Sequence, residues 1–493
     1  MTQEIPQEFR DYACRLLGQE RYDCFARALA EPPSVSVRLN PFKATRAGLS
    51  PGGLHGADGP VPWASGEGCY LQGRPSFTAD PLFHAGAYYV QEASSMFLGQ
   101  ALRQHVSGPA VVLDLCAAPG GKSTHIRSLL PEGSLLVSNE PVKARAQVLL
   151  ENMTKWGTPR RGGHERLSAG FCPPSVFFFD VLVADVPCSG EGMFRKEEAA
   201  VEGWSMDNVL MCRDRQRAIL RDVWPALKPG GLLVYSTCTL NAYEDEENVA
   251  WVAAELGAEV LGVEVAPQWG VMGNLLPPDA AGFFPAYHFI PGFTRGEGFF
   301  LAVLRKSADA SSSSMGASGR GAGRKRAVAR QASSVALPKS CKAWLAHPDG
   351  FDFLPDGDGW CAVRSAFASR LEALRRAVKV WQCGIPLAVA KGKDWQPTQA
   401  LALSTELSLP AFPAVAVSYA TAVAYLRKET LSLPSDVPRG FVLLTFQGLP
   451  LGFVKNIGGR ANNLYPQEWK IRSSHIPEFT VCENTGEDLS AND

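Results

Sequence analysis

Residues 110–122, AVVLDLCAAPGGK, constrain this chain more than any other stretch. An apolar run with Asp114 set inside it has the composition of a parallel strand covered on both faces. Pro119, Gly120 and Gly121 then turn the chain sharply, and a helix opens at Lys122. Glycines let the backbone approach a ligand closely, and the first turn of a helix offers free N–H groups at the positive end of its dipole. A polar or charged ligand belongs there; a plain strand-to-helix turn is the alternative.

Two nucleotide-site patterns compete for this loop. A phosphate-binding loop requires G-x-x-x-x-G-K-[ST], and Gly121-Lys122-Ser123 supplies its second half, but Cys116 stands where the first glycine is required. The dinucleotide pattern G-x-G-x-x-G is absent. What fits is an acidic residue about 20 positions on, at the end of the next strand, where it can hold ribose hydroxyls. Glu140, closing SLLVSNE, has that place. The combination favours a nucleoside-bearing cofactor without an essential triphosphate, of which S-adenosylmethionine is the common one.

A chain of 493 residues suggests about three domains, and 46% apolar content is that of a globular protein. The sequence has no apolar run long enough for a bilayer, and its acidic N-terminus lacks an apolar signal core, so a cytoplasmic location and no membrane are expected. Twelve cysteines include no C-x-x-C pair and no cysteine–histidine cluster at zinc spacing. Neither a disulfide scaffold nor a metal is expected, and most thiols should be small buried residues. Net charge is −1, yet between Arg305 and Lys342 nine Lys or Arg residues face the single acid Asp309.

Helical spacing of Phe9, Tyr12, Ala13, Leu16 and Leu17 predicts a helical start. SVSVRLNPF, residues 34–42, alternates like a half-exposed strand, with Arg38 on its polar face as a solvated arginine or a phosphate contact. Residues 48–66, rich in Gly and Pro, read as loop. Tyr88 and Tyr89 either stack on a base or pack against the following domain. From residue 111 to 305 strands and helices alternate, which predicts a parallel sheet with helices on both faces, its strands at 111–115, 134–139, 181–186 and 231–237. Residues 298–305 read as a late, antiparallel strand. Residues 307–335 have the composition of a flexible linker whose RGAGRKR tract is either a solubilising tether or a weak grip on phosphate. Beyond it come a helix near 367–378 and, at 440–456, two short strands around Gln447-Gly448.

The strand VLVADV runs into Asp185-Val186-Pro187-Cys188-Ser189-Gly190, and LLVYST runs into Cys238-Thr239. Ligands lie outside the carboxyl ends of strands in open α/β sheets, so both cysteines are delivered to the face that holds the Gly-rich loop. A thiolate suits an electron-poor ring that must be activated before it accepts a methyl group. Sulfur adding at carbon 6 of a pyrimidine makes carbon 5 nucleophilic, and a second group must later remove the carbon 5 proton. An acid that holds the ring nitrogen and amino edge of cytosine would help, and Asp185 and Cys188 suit these needs by position. A buried structural thiol remains the plain reading of either cysteine alone.

Three motifs, AVVLDLCAAPGGK, ADVPCSGEGMFRK and STCTLNAYEDEENVAWV, resemble those of the RNA 5-methylcytosine methyltransferases (the RsmB/RsmF-type, Sun family), in particular the RsmF-like ribosomal branch. YYVQEASSM and LGFVKN are similar to that branch too. The resemblance implies a Rossmann-like α/β, class I S-adenosylmethionine-dependent methyltransferase core, with a small N-terminal α+β RNA-binding region and a C-terminal PUA-like β domain. It implies Cys238 as nucleophile, Cys188 as the residue that assists its release, and Asp185 as the cytosine contact. S-adenosylmethionine would be bound by Cys116, Ala117, Ala118, Pro119, Gly120, Gly121, Lys122, Glu140 and Asp185, with Lys122 near the transfer centre. A family acid that contacts adenine has no clear counterpart around Glu165-Arg166-Leu167, and the usual alanine after Asp185 is Val186.

The expected domains are 1–100 (N-terminal RNA-binding), 101–306 (catalytic), 307–335 (basic linker), 336–425 (intermediate α/β) and 426–493 (PUA-like). The expected activity is cytosine carbon 5 methylation of RNA, with small-subunit ribosomal RNA as substrate, by a monomer. The same chemistry on tRNA and a non-catalytic RNA-binding assembly factor are the alternatives.

Overall fold

The computed structural model describes residues 5–157, 163–167, 178–277, 283–308 and 337–473. The basic tract expected to act as a linker lies outside the described residues. No described helix is long and apolar enough to cross a membrane.

The alternation after residue 110 builds one nine-stranded sheet. Its centre is five parallel strands in the spatial order Leu227–Thr237, Phe179–Asp185, Val111–Asp114, Leu135–Ser138 and Gly163–Leu167. Side chains alternate across it: Val112, Leu136, Val181 and Val234 enter one core, while Val111, Leu113, Leu182 and Tyr235 enter the other. Both faces are therefore buried, which is why these strands read as continuous apolar runs. The chain leaves Val111–Asp114 toward Leu135–Ser138 on one side and later returns to Phe179–Asp185 on the other. This reversal opens a crevice at the carboxyl ends of the central strands. Phe299–Lys306 adds antiparallel to Leu227–Thr237, as expected, and Ala258–Leu261 adds outside it.

The opposite edge was not foreseen. Val380–Cys383, from the region expected to form a separate intermediate domain, pairs antiparallel with Gly163–Leu167, Val380 opposite Leu167 and Cys383 opposite Glu165. The catalytic sheet thus ends on a strand supplied from beyond the linker. Four strands between residues 351 and 397 of that region form a sheet packed on Leu401 and Ala402, and the helix predicted near 367–378 spans Ala368–Ala377.

At the N-terminus two helices, Gln7–Leu17 and Gln19–Leu29, precede a four-stranded sheet. Residues 48–66 are not all loop: Ala57–Pro60 is a strand that pairs with Gly68–Leu71 across an irregular register. The strand Val35–Leu39 is not half-exposed either. Ser36, Arg38 and Asn40 are all buried, Arg38 completely, because the polar face of this strand docks on the catalytic unit. The Asn40 amide donates to the carbonyls of Gly86 (2.7 Å) and Trp156 (2.8 Å). The Arg38 guanidinium donates to Gln91 Oε1 and Thr124 Oγ1, both at 2.7 Å, and lies 4.3 Å from the Trp156 ring centroid. Arg38 is neither solvated nor placed for phosphate.

The opposite face of the N-terminal sheet shares one core with the C-terminal unit, where Val37, Leu39 and Tyr88 meet Tyr425, Val442 and Tyr465. His84 Nδ1 lies 3.1 Å from the Tyr465 hydroxyl, and the Tyr419 hydroxyl donates to Ala79 O at 3.1 Å. The C-terminal sheet contains the expected hairpin, Gly440–Phe446 with Leu449–Asn456, but it also includes Ala414–Ala416 and the helix Tyr419–Leu426 packs on it. The expected boundary at 426 therefore falls inside one packed unit. The boundary at 100/101 likewise falls inside the helix Leu98–His105.

Arg38→Ala removes charged hydrogen bonds from a fully buried interface, each worth about 1.5–3 kcal/mol. It should lower the first urea transition by roughly 3 kcal/mol, whereas Arg305→Ala, at an exposed sheet position, should change it by less than about 0.5 kcal/mol. Equal effects would mean that Arg38 does not hold this junction.

Candidate active site

The loop after Val111–Asp114 is held from below and from both sides. Leu115 N–H donates to Val183 O and Ala117 N–H to Asn139 O, both at 2.9 Å, while the Asn139 amide donates to Leu115 O at 2.8 Å. The Ala118–Pro119 peptide is cis, and Gly120 has φ +115°, a conformation that requires glycine. A side chain at Gly120 would also press on Leu149 and Asn152, and one at Gly121 on the Tyr89 ring. Tyr89 thus packs against the loop, as one of the two readings had it, whereas buried Tyr88 donates to Asp80 at 2.7 Å and packs in the core shared with the C-terminal unit instead of against the catalytic domain. Asn152 and Arg145 donate to Pro119 O (2.9 Å) and Ala118 O (3.1 Å). The helix then runs Gly121–Leu129.

Glu140 follows the next strand as expected, and it is buried. One carboxylate oxygen accepts the Val142 N–H at 2.9 Å, and the other lies 3.5 Å from the Arg145 guanidinium with no hydrogen-bond partner. Such an oxygen is free to accept from a hydroxyl pair. Asp114, at the base of the loop, is fully buried and accepts from Ser123 Oγ at 2.6 Å, its second oxygen unpaired. Burial pushes its carboxyl up to about 7, with the nearby charge of Asp185 adding to the shift.

Asp185 and Cys238 arrive on adjacent parallel strands, Asp185 opposite Ser236. Lys122 Nζ sits 2.8 Å from Asp185 Oδ2, and Ser236 Oγ donates to Oδ1 at 2.9 Å. Burial alone would lower the Lys122 ammonium, but the charge and hydrogen bond of Asp185 outweigh it and hold Lys122 above its ordinary value. The sulfurs of Cys188 and Cys238 are 3.2 Å apart. Cys188 is pushed well above the usual thiol range by its hydrogen bond to Cys238 and by burial.

These groups share one cleft of about 660 Å³, whose wall includes Cys116, Ala118, Glu140, Asp185, Cys188 and Cys238. Of the other expected site residues, Ala117, Pro119, Gly120, Gly121 and Lys122 are not on that wall. Lys122 reaches the wall through its ion pair with Asp185. Ile219 and Asp222, from the helix Met206–Val223, also line the cleft, and no motif pointed to them. Glu165 and Leu167, where the adenine contact was sought, sit on the strand that receives Val380–Cys383.

A buried polar network behind the thiols was also missed. Glu244 accepts the Ser189 N–H (3.1 Å), the Gln216 amide (2.7 Å) and the Asn241 amide (2.9 Å). Glu191 accepts from Leu240 N–H (2.8 Å), Trp204 Nε1 (2.9 Å) and Asn241. Asp245, Glu246 and His288 gather close by as a fully buried group with metal-ligating chemistry, its His288 and Glu246 ends paired at 2.8 Å. Asp245 and Glu246 are adjacent but His288 lies 42 positions further on, so ligand spacing could not reveal it. Among the described residues the cysteines are free thiols; Cys69, Cys212, Cys341, Cys361 and Cys383 are buried, while Cys14, Cys24, Cys116, Cys188 and Cys238 are partly exposed, so half and not most of them are buried.

Several curated proteins of similar sequence share one name. The chain is 32% identical over 463 residues to the ribosomal RNA small subunit methyltransferase F of Salmonella heidelberg (strain SL476), covering 91% of this chain and 92% of the relative, and the Salmonella typhi protein matches to the same extent. The chain belongs to the ribosomal RNA small subunit methyltransferase F family. It is a methyltransferase. Three family models fit it: the N-terminal domain of 16S rRNA methyltransferase RsmF over residues 5–93, 16S rRNA methyltransferase RsmB/F over 104–305, and the methyltransferase RsmF PUA domain over 412–471. The fold is accordingly a Rossmann-like methyltransferase core flanked by an RsmF N-terminal domain and a C-terminal PUA domain. Among solved structures it resembles NSun6 from Pyrococcus horikoshii with SFG, at 20% identity and a TM-score of 0.50, covering 62% of this chain and 99% of that one, a likeness of fold.

A carboxyl whose folded pKa lies above its unfolded value near 4 stabilises the fold while protonated. The Asp114 contribution is thus complete below about pH 4 and is lost as pH rises through about 7. Asp114→Asn should therefore gain stability relative to the parent chain between about pH 5 and pH 8, by on the order of 2–3 kcal/mol in urea denaturation. A difference that does not change with pH would show that Asp114 titrates normally.

Proposed function

We propose that this methyltransferase transfers a methyl group from S-adenosylmethionine to carbon 5 of a cytosine in small-subunit (16S) ribosomal RNA, through a covalent bond between Cys238 and carbon 6. The observation that carries the reading is the contact of two thiols, 3.2 Å apart, at the head of a cleft that also holds Asp185 and Glu140.

The residues present fit the cofactor. Glu140 offers a buried carboxylate oxygen that no protein group hydrogen-bonds, which suits ribose hydroxyls. Cys116 and Ala118 line the wall beside it. S-adenosylmethionine supplies, when bound, an electrophilic methyl group carried on a sulfonium.

In this reading Cys238 sulfur adds to carbon 6, and the electron pair of the ring double bond moves onto carbon 5, which becomes the nucleophile. Asp185, fixed by Lys122 and Ser236, holds the ring nitrogen and amino edge. Cys188 then removes the carbon 5 proton, the double bond re-forms, and Cys238 leaves. Cys188, in contact with Cys238 at 3.2 Å, takes this proton as a thiolate, having given its own proton to water in the open cleft. The N-terminal and PUA domains would provide RNA contacts, the substrate being ribosomal because the curated relatives are named for the small ribosomal subunit.

Cys238→Ala should abolish both methylation and any covalent complex. Cys188→Ala should stall before elimination and leave protein attached to RNA, as a retarded band on a denaturing gel with labelled RNA. An adduct with Cys238→Ala and none with Cys188→Ala reverses the two roles; full activity in both ends the thiolate mechanism.

Glu140→Ala should weaken calorimetric binding of S-adenosylmethionine by about 10- to 100-fold, the value of one or two charged hydrogen bonds. Binding of ATP in preference overturns the cofactor.

Bisulfite sequencing of total RNA from a deletion strain should show a cytosine of 16S ribosomal RNA losing protection. A change confined to tRNA moves the activity there, and no change in any RNA favours an assembly factor.

A further inference from the structure

Two pairs of cysteines touch among the described residues: Cys188 with Cys238 at 3.2 Å, and Cys361 with Cys383 at 3.6 Å. Their surroundings differ. Cys361 and Cys383 are buried, 0% and 2% exposed, in a small core with Val363 and Leu371. Cys188 and Cys238 are partly exposed on the wall of the 660 Å³ cleft, which is wide enough for any small oxidant.

A disulfide requires two sulfurs to close to about 2.05 Å, and a pair already in contact needs little backbone movement to do so. The two loops are tied together by the Gly192 N–H donating to Cys238 O at 2.8 Å and by the Ser189 and Thr239 hydroxyls 2.9 Å apart, which keeps the sulfurs facing each other. Gly190, with φ +79° and open space where a side chain would be, is the point at which the Cys188 loop can yield.

We propose that Cys188 and Cys238 form a reversible oxidation site, in which a peroxide joins them as a disulfide that silences the enzyme until a thiol reductant restores it. The first sulfur attacks a peroxide oxygen, breaking the O–O bond to give a sulfenic acid and hydroxide. The second sulfur then attacks the sulfenic sulfur, forming the S–S bond and expelling the hydroxyl group as water. The two thiols give up two electrons and two protons, and one hydrogen peroxide becomes two waters. With Cys238 as the sulfenic acid, the hydrogen bond that keeps Cys188 protonated is altered, and the resolving thiol lies next to its target. A reductant reverses the step by thiol–disulfide exchange from the open side of the cleft.

The cross-link stands on this geometry; the loss of activity rests on the thiolate reading of the proposed function. The test treats the full chain with hydrogen peroxide, blocks free thiols, and maps unreduced peptides by mass spectrometry alongside a methylation assay. A Cys188–Cys238 cross-linked peptide should appear before any Cys361–Cys383 one. Methylation should fall in proportion, by at least 10-fold at full cross-linking, and return with dithiothreitol. Cys361→Ala should keep both activity and sensitivity. Over-oxidised or unmodified Cys188 and Cys238, with no cross-link, overturns the inference, as does earlier cross-linking of the buried pair. Those results leave the thiolate reading intact if Cys238→Ala is inactive. A complete cross-link with undiminished methylation sinks the thiolate reading instead, together with the silencing that depends on it.

Discussion

The catalytic end of the molecule depends on a set of buried carboxylates that bind backbone N–H groups. Glu244 receives the Ser189 N–H just after Cys188, Glu191 receives the Leu240 N–H just after Cys238, and the Asn241 amide joins the two acids. Turn segments usually lie at the surface, where water satisfies their polar groups. Here Ser189 and Leu240 are buried, so the carboxyls of Glu244 and Glu191 do what water would. The same low dielectric that makes these bonds strong makes losing one expensive. These bonds fix the two loops that carry the thiols.

Much of the sheet was legible because its signals are local. Pro119, Gly120 and Gly121 punctuate a run that is apolar on every residue, and only a strand buried on both faces has that composition. Glu140 and the Asp185 and Cys238 strand ends follow from the rule that ligands meet the carboxyl edge. The network behind the thiols was opaque for the opposite reason. An acid-rich run such as Glu244-Asp245-Glu246 reads as a solvated helix start, and only its distant partners, Ser189, Gln216 and His288, show that it is interior. Arg38 failed in the same way. Alternation reports which face of a strand is polar, and nothing local tells whether water or another domain covers that face.

The domains are less separable than a chain with a basic tract at its middle suggests. The N-terminal sheet is clamped between two neighbours, with its polar face on the helices of the catalytic unit and its apolar face in a core shared with the PUA domain. An RNA held on the outer domains would therefore bear on a body that reaches the Gly-rich loop through Arg38 and Thr124.

The strand Val380–Cys383 gives this arrangement an order in time. Synthesis runs from the N-terminus, so the sheet from Val111 to Lys306 leaves the ribosome while its edge at Gly163–Leu167 still lacks a neighbour. An uncovered edge offers unpaired N–H and carbonyl groups to any passing strand. The nascent chain must carry that open edge until residue 383 emerges, which makes the last third of the protein a guard against misassembly for the part that performs the chemistry.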